Sequence, residues 1–68
     1  MKISGRNKLK GKVTKIKEGV VTAQVELDIG SGNTIVGVIT MDSLKELDIK
    51  VGDEVTALIK ATSVMFMK

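Results

Sequence analysis

From Val21 to Ile29 the chain alternates apolar and polar residues without a break: Val21, Ala23, Val25, Leu27 and Ile29 are separated by Thr22, Gln24, Glu26 and Asp28. Strict period two is the pattern of a half-buried strand, with one face on a core and the other in water. Gly30-Ser31-Gly32-Asn33 follows as a turn signal, and then the β-branched run Thr34-Ile35-Val36-Gly37-Val38-Ile39-Thr40. Together these predict a hairpin. Upstream, Leu9, Gly11 and Val13 alternate with Lys8, Lys10 and Lys12, and the pattern stops at Lys17-Glu18-Gly19. This predicts a first strand that pairs with the second.

After the third strand comes Met41-Asp42-Ser43-Leu44-Lys45-Glu46-Leu47-Asp48. Ser43 followed by Glu46 has the spacing of a capping box, with Asp42 as an alternative cap. Leu44 and Leu47 are spaced for one face of a short helix of about two turns. Lys50-Val51-Gly52-Asp53 reads as a turn. Val55, Ala57 and Ile59 then alternate with Glu54, Thr56, Leu58 and Lys60, and Ser63 to Met67 reads as one more strand. The predicted fold is all-β: a five-stranded OB-type Greek-key barrel with one short helix between strands 3 and 4. Gly11 and Gly37, lying within strands, are expected at bulges or sharp bends. With no linker or internal repeat, residues 1–68 are expected to form one domain.

Such a chain has little core to draw on. It has 68 residues, one aromatic residue (Phe66), and neither cysteine nor histidine. Small domains bury a modest share of their surface and lean on disulfides, metals or association. Without Cys or His, disulfides and ordinary zinc, iron–sulfur and haem sites are excluded, so self-association is expected. No run is long and apolar enough to span a bilayer and no secretory signal pattern is present, so the expected location is cytoplasmic.

Acid–base catalysis lacks its parts. No histidine can serve the serines and threonines as a base. The acids fall on polar strand faces, in turns, or at the helix start, where Asp42 suits the dipole and Glu46 the capping box. An enzyme is not expected.

The net charge of +3 favours anionic partners. Lys8, Lys10 and Lys12 line one strand face, with Lys15 and Lys17 beyond. This stripe either tracks phosphates or simply keeps a strand face solvated and discourages edge-to-edge pairing. An OB-type single-stranded nucleic-acid-binding module is the alternative function. Base stacking on aromatic platforms contributes about 1–3 kcal/mol per base there, and this chain has no Trp or Tyr. A small oxyanion asks for less: short hydroxyls, backbone N–H groups and one or two cations. Ser4, Arg6, Thr40, Ser43, Lys60 and the backbone around Gly5 and Ala61 are the candidate donors, with the helix start at Asp42 to Leu44 beside them.

Two stretches carry a family resemblance. Ile3-Ser4-Gly5-Arg6-Asn7-Lys8-Leu9 resembles the Ser-Ala-Arg-Asn-Gln-Leu signature of the Mop-type molybdate-binding domain. Thr40 to Met65 resembles the rest of it: the short Ser/Leu-containing helix, the Val-Gly-Asp turn, and the closing Thr56-Ala57…Lys60-Ala61-Thr62…Val64-Met65. The match covers essentially the whole chain, and a free-standing domain of this length resembles the molbindins, small cytoplasmic proteins that bind and store molybdate or tungstate. The resemblance implies an oxyanion site made of Ser4, Gly5 (backbone), Arg6, Thr40, Ser43, Lys60 and Ala61. It implies no direct protein–metal bond, since molybdenum or tungsten is held as the oxyanion. It further implies a homo-hexamer, a trimer of dimers, with sites at subunit interfaces and a second class of site on a symmetry axis. Three positions depart from the pattern: Gly5 stands for Ala, Lys8 for Gln, and Ala61 for the Ser of some relatives.

Overall fold

The structure, a computed structural model, describes residues 7–68. Four strands and one helix follow in order: β1 (Asn7–Glu18), β2 (Thr22–Gly30), β3 (Asn33–Thr40), α1 (Met41–Glu46) and β4 (Glu54–Ile59). They form one antiparallel sheet in the order β3-β2-β1-β4.

The β2–β3 hairpin forms where the alternation predicts it. Gly30 pairs with Asn33, leaving a two-residue loop of Ser31 and Gly32. Both have positive φ, 53° and 76°. That is the type I′ combination, whose twist matches the strands it joins. The inward residues Ala23, Val25 and Leu27 are buried, as the period-two pattern requires.

β1 is the hub of the sheet. Asn7 to Lys12 pair with β4, whereas Lys12 to Glu18 pair with β2. Between Val13 and Lys15 the register slips by one residue, leaving Thr14 as a bulge. A bulge bends a strand and increases its twist, which lets one strand turn from one partner to the other. The bulge therefore lies at neither of the expected glycines. Gly11 serves a different purpose: a Cβ there would stand 2.8 Å from the Asp28 carbonyl oxygen, so glycine permits the close crossing of β1 over the end of β2. At Gly37 a Cβ would meet open space, and the strand pairs regularly with Val25.

Val13, beside the bulge, is the most deeply buried large side chain. It packs with Ala23, Val25, Leu27 and Leu44, flanked by Ile16, Ile29, Ile39, Met41, Ile49, Val55 and Ala57. Full burial of a Val or Leu side chain contributes about 1.5–3 kcal/mol, so this small set holds the sheet's curl. The turn before β4 is bonded to the same residue. The Val13 N–H donates to the Asp53 carbonyl at 2.8 Å, and the Val13 carbonyl accepts from the Gly52 N–H at 2.8 Å. Gly52 has φ +97° and the Asp53 N–H closes the turn onto the Lys50 carbonyl at 3.0 Å. This is a type II geometry, which calls for glycine at that position.

α1 has six residues, close to the two turns expected, but its cap is Thr40 rather than Ser43 or Asp42. Its C-terminus is a Schellman motif: the Ile49 N–H reaches the Leu44 carbonyl and the Asp48 N–H the Lys45 carbonyl, with Asp48 at φ 52°. That reversal sends Ile49 back onto Leu44 and leaves Leu47 at the cap, 66% exposed. Only Leu44 of the two leucines faces the core.

The fifth strand is not formed. Ala61–Ser63 is a single 3₁₀ turn, and 64–68 carry no regular structure. Met65, Phe66 and Met67 are each more than 90% exposed. Extended backbone becomes a strand only with a ladder partner, and this segment meets none among the described residues. The edges β3 and β4 instead face each other across an open apolar trough of about 500 Å³, lined by Val25, Leu27, Ile35, Ile39, Val55 and Leu58 among others. The result is a curled four-stranded sheet rather than a closed five-stranded barrel.

Candidate functional site

Thr40 ends β3 and begins α1, so one residue belongs to both elements. Its Oγ1 accepts the Ser43 N–H at 3.0 Å, which satisfies one of the free amides at the helix start. The same hydroxyl donates to Ser43 Oγ at 2.9 Å. Two adjacent hydroxyls joined in this way use one proton between them and leave one O–H free to donate outward. The Met41 N–H donates to the Val21 carbonyl at 2.8 Å, anchoring this junction to the β1–β2 connection. Thr40 is exposed and Ser43 half-buried, so both are open to a ligand.

Lys60 and Ala61 occupy a different place. They follow β4, with Lys60 as the N-terminal cap of the 3₁₀ turn and both residues exposed. Lys60, just past its strand, is in no ion pair among the described residues. Ala61 offers an anion its backbone N–H and no hydroxyl.

The sheet register sets these two groups apart. Thr40 lies opposite Thr22, and Ala23 opposite Glu18, at the C-terminal end of β1. Ile59 lies opposite Asn7, at the N-terminal end of β1. β1 is 12 residues long, about 36 Å of extended chain. Thr40 and Ser43 are thus together, Lys60 and Ala61 are together, and the two pairs stand at opposite ends of the central strand. Ser4, Gly5 and Arg6 lie outside the described residues; in sequence they directly precede Asn7.

Among the described residues, two other surface features were candidates for a site, and neither suits one. Lys8, Lys10 and Lys12 are exposed along β1, and Lys10 reaches Glu54 at 3.5 Å across the β1–β4 ladder with both side chains 70% exposed. Such pairs contribute little. A shallow polar depression of about 230 Å³ is lined by Lys17, Glu18, Gly19, Thr22, Gln24 and Val38, where a carboxylate offsets the one cation. Among the described residues no three carboxylates gather in a way that suits a metal ion, and no helix is long and apolar enough to cross a membrane.

Comparison with known proteins shows the family of the chain. The TOBE domain family matches residues 3–66. Molybdenum-pterin-binding protein 1 of Clostridium pasteurianum is 54% identical over 67 residues, which are 98% of each chain. Among solved structures, a molybdate-binding protein from Sporomusa ovata superposes with a TM-score of 0.91 at 48% identity, covering the whole of both chains. ModG, described as a cytoplasmic molybdate-binding protein and solved with molybdate bound, superposes with a TM-score of 0.83 at 38% identity; the match takes in 90% of this chain and 43% of that one. With a family match across nearly its whole length and close relatives of the same size, the chain belongs to the TOBE domain family, among the small Mop-type molybdenum-pterin-binding proteins.

Proposed function

We propose that the chain binds molybdate or tungstate as an intact oxyanion and serves as a cytoplasmic store of it. The donors are the hydroxyl of Ser4, the one free O–H of the bonded Thr40–Ser43 pair, the backbone N–H groups of Gly5 and Ala61, and the cations Arg6 and Lys60. A tetrahedral dianion offers these groups only acceptor oxygens. Hydrogen bonds to a charged partner contribute about 1.5–3 kcal/mol each, so a handful suffices for tight binding after desolvation. Arg6 can engage two oxygens at once, which adds direction as well as charge. Relatives over the full length of the chain are named for binding molybdenum-pterin or molybdate. The chemistry is binding and release, with no catalytic step.

The observation that carries this reading is the separation of Thr40–Ser43 from Lys60–Ala61 at opposite ends of β1. One copy cannot wrap a single small anion with both groups. Two copies, each giving a different end, can. This separation supports sites between subunits, in keeping with a hexamer built as a trimer of dimers. The exposed Val64-Met65-Phe66-Met67 segment and the open trough between β3 and β4 are apolar surfaces of the kind that association covers.

A nucleic-acid module is not favoured. Its stacking platform would fall to Phe66 alone, on a segment outside the sheet. Isothermal titration with molybdate, paired with native mass spectrometry, tests the proposal. A saturable heat and a hexamer carrying anions are expected. No heat at millimolar molybdate refutes the function, and a monomer that binds refutes the interfacial site.

A further inference from the structure

We propose that Asn7 is a positioning residue for the oxyanion site, holding the Ile59–Lys60 peptide so that Lys60 and Ala61 face the anion; this rests on the function proposed above. Asn7 opens β1 and forms the terminal ladder pair with Ile59, the last residue of β4. Its side-chain Nδ2 donates to the Ile59 carbonyl at 3.2 Å, in a half-buried position and across 52 residues of sequence. No other side-chain hydrogen bond among the described residues spans more than 12.

The Ile59 carbonyl and the Lys60 N–H belong to one planar peptide unit. Fixing the carbonyl fixes the direction of that N–H and the starting point of the Lys60 side chain. The hold comes where the ladder ends. Beyond Ile59 the chain leaves β4 and enters the 3₁₀ turn, and Lys60 caps that turn without a side-chain hydrogen bond of its own. Asparagine is a poor strand former, so its place at the first ladder position is accounted for by this bond. Asn7 is also the next residue after Ser4-Gly5-Arg6. One side chain thereby links the start of β1 to the segment that carries Lys60.

The test uses the full chain and molybdate as the probe. Asn7→Ala and Asn7→Val are compared with Gly52→Ala, which strains a turn away from the donors. Asn7→Val removes the amide while favouring the strand. Both Asn7 variants are expected to bind molybdate about tenfold or more weakly, the loss of one well-aimed charged hydrogen bond, while Gly52→Ala binds as the parent does. Amide exchange at Lys60 and Ala61 is expected to quicken in both Asn7 variants, with β2 and β3 protection unchanged. Unchanged affinity in Asn7→Val, or an equal loss in Gly52→Ala, overturns the proposal. A parent protein that binds no molybdate overturns the function itself, and amide exchange then still decides whether Asn7 holds the Lys60 peptide.

Discussion

Thr40 Oγ1 accepts the Ser43 amide proton at 3.0 Å and touches the Ser43 hydroxyl at 2.9 Å. One hydroxyl thus starts the helix and aims its neighbour. Thr40→Ala is expected to lower stability by about 1 kcal/mol through loss of the cap and to weaken molybdate binding as well. Thr40→Ser is expected to keep most of both. Urea denaturation and calorimetric titration of the two variants separate these effects.

Arg6 is the cation with bidentate reach in the proposed site. Arg6→Ala is expected to reduce molybdate affinity by about 10- to 100-fold, as removal of charged hydrogen bonds does, with the oligomer intact by native mass spectrometry. Unchanged affinity would remove Arg6 from the site.

Gly11 lies where a Cβ would press on the Asp28 carbonyl at 2.8 Å and on the Ile29 side chain at 3.0 Å. Backbone cannot yield as a side-chain tip does. Gly11→Ala is expected to destabilise the fold by about 1–3 kcal/mol, the usual cost of overpacking, seen as a lower denaturation midpoint with an unchanged slope.

Gly52, at φ +97°, tests a different cause. There a Cβ meets open space, so the cost of Gly52→Ala is backbone strain alone, about 1–2 kcal/mol. Lys10→Ala removes an exposed ion pair with Glu54 and is expected to change stability by less than about 0.5 kcal/mol. Thermal melts of the two, run side by side, show whether the Val13-bonded turn outweighs the surface pair.

Much of the fold is legible from local pattern. The alternation from Val21 to Ile29 marks the buried face of β2, and Gly30-Ser31-Gly32-Asn33 marks its hairpin, because a two-residue loop and a period-two face are properties of neighbouring residues. The bulge at Thr14 is not legible. It answers to β1 changing partners, and those partners are distant in sequence. Gly11 stands out in the sequence, but its reason, the crossing of β2, is tertiary. Ser43 and Glu46 have capping-box spacing, yet Thr40 takes the cap because the end of β3 delivers it there in extended conformation.

The segment from Ser63 to Met67 marks the boundary most sharply. Its apolar character is a sequence property; whether it becomes a strand depends on a ladder partner, and it meets none among the described residues. The site divides in the same way. The sequence by itself determined which groups the proposed site can draw on: the hydroxyls of Ser4, Thr40 and Ser43, Arg6 and Lys60, in a chain with no cysteine or histidine. Only the tertiary structure decided that Thr40 and Ser43 stand together while Lys60 and Ala61 stand at the other end of β1. The physical reason is the antiparallel ladder. β3 and β4 run in opposite directions along β1, so their C-terminal residues are carried to opposite ends of it, and no local periodicity records that.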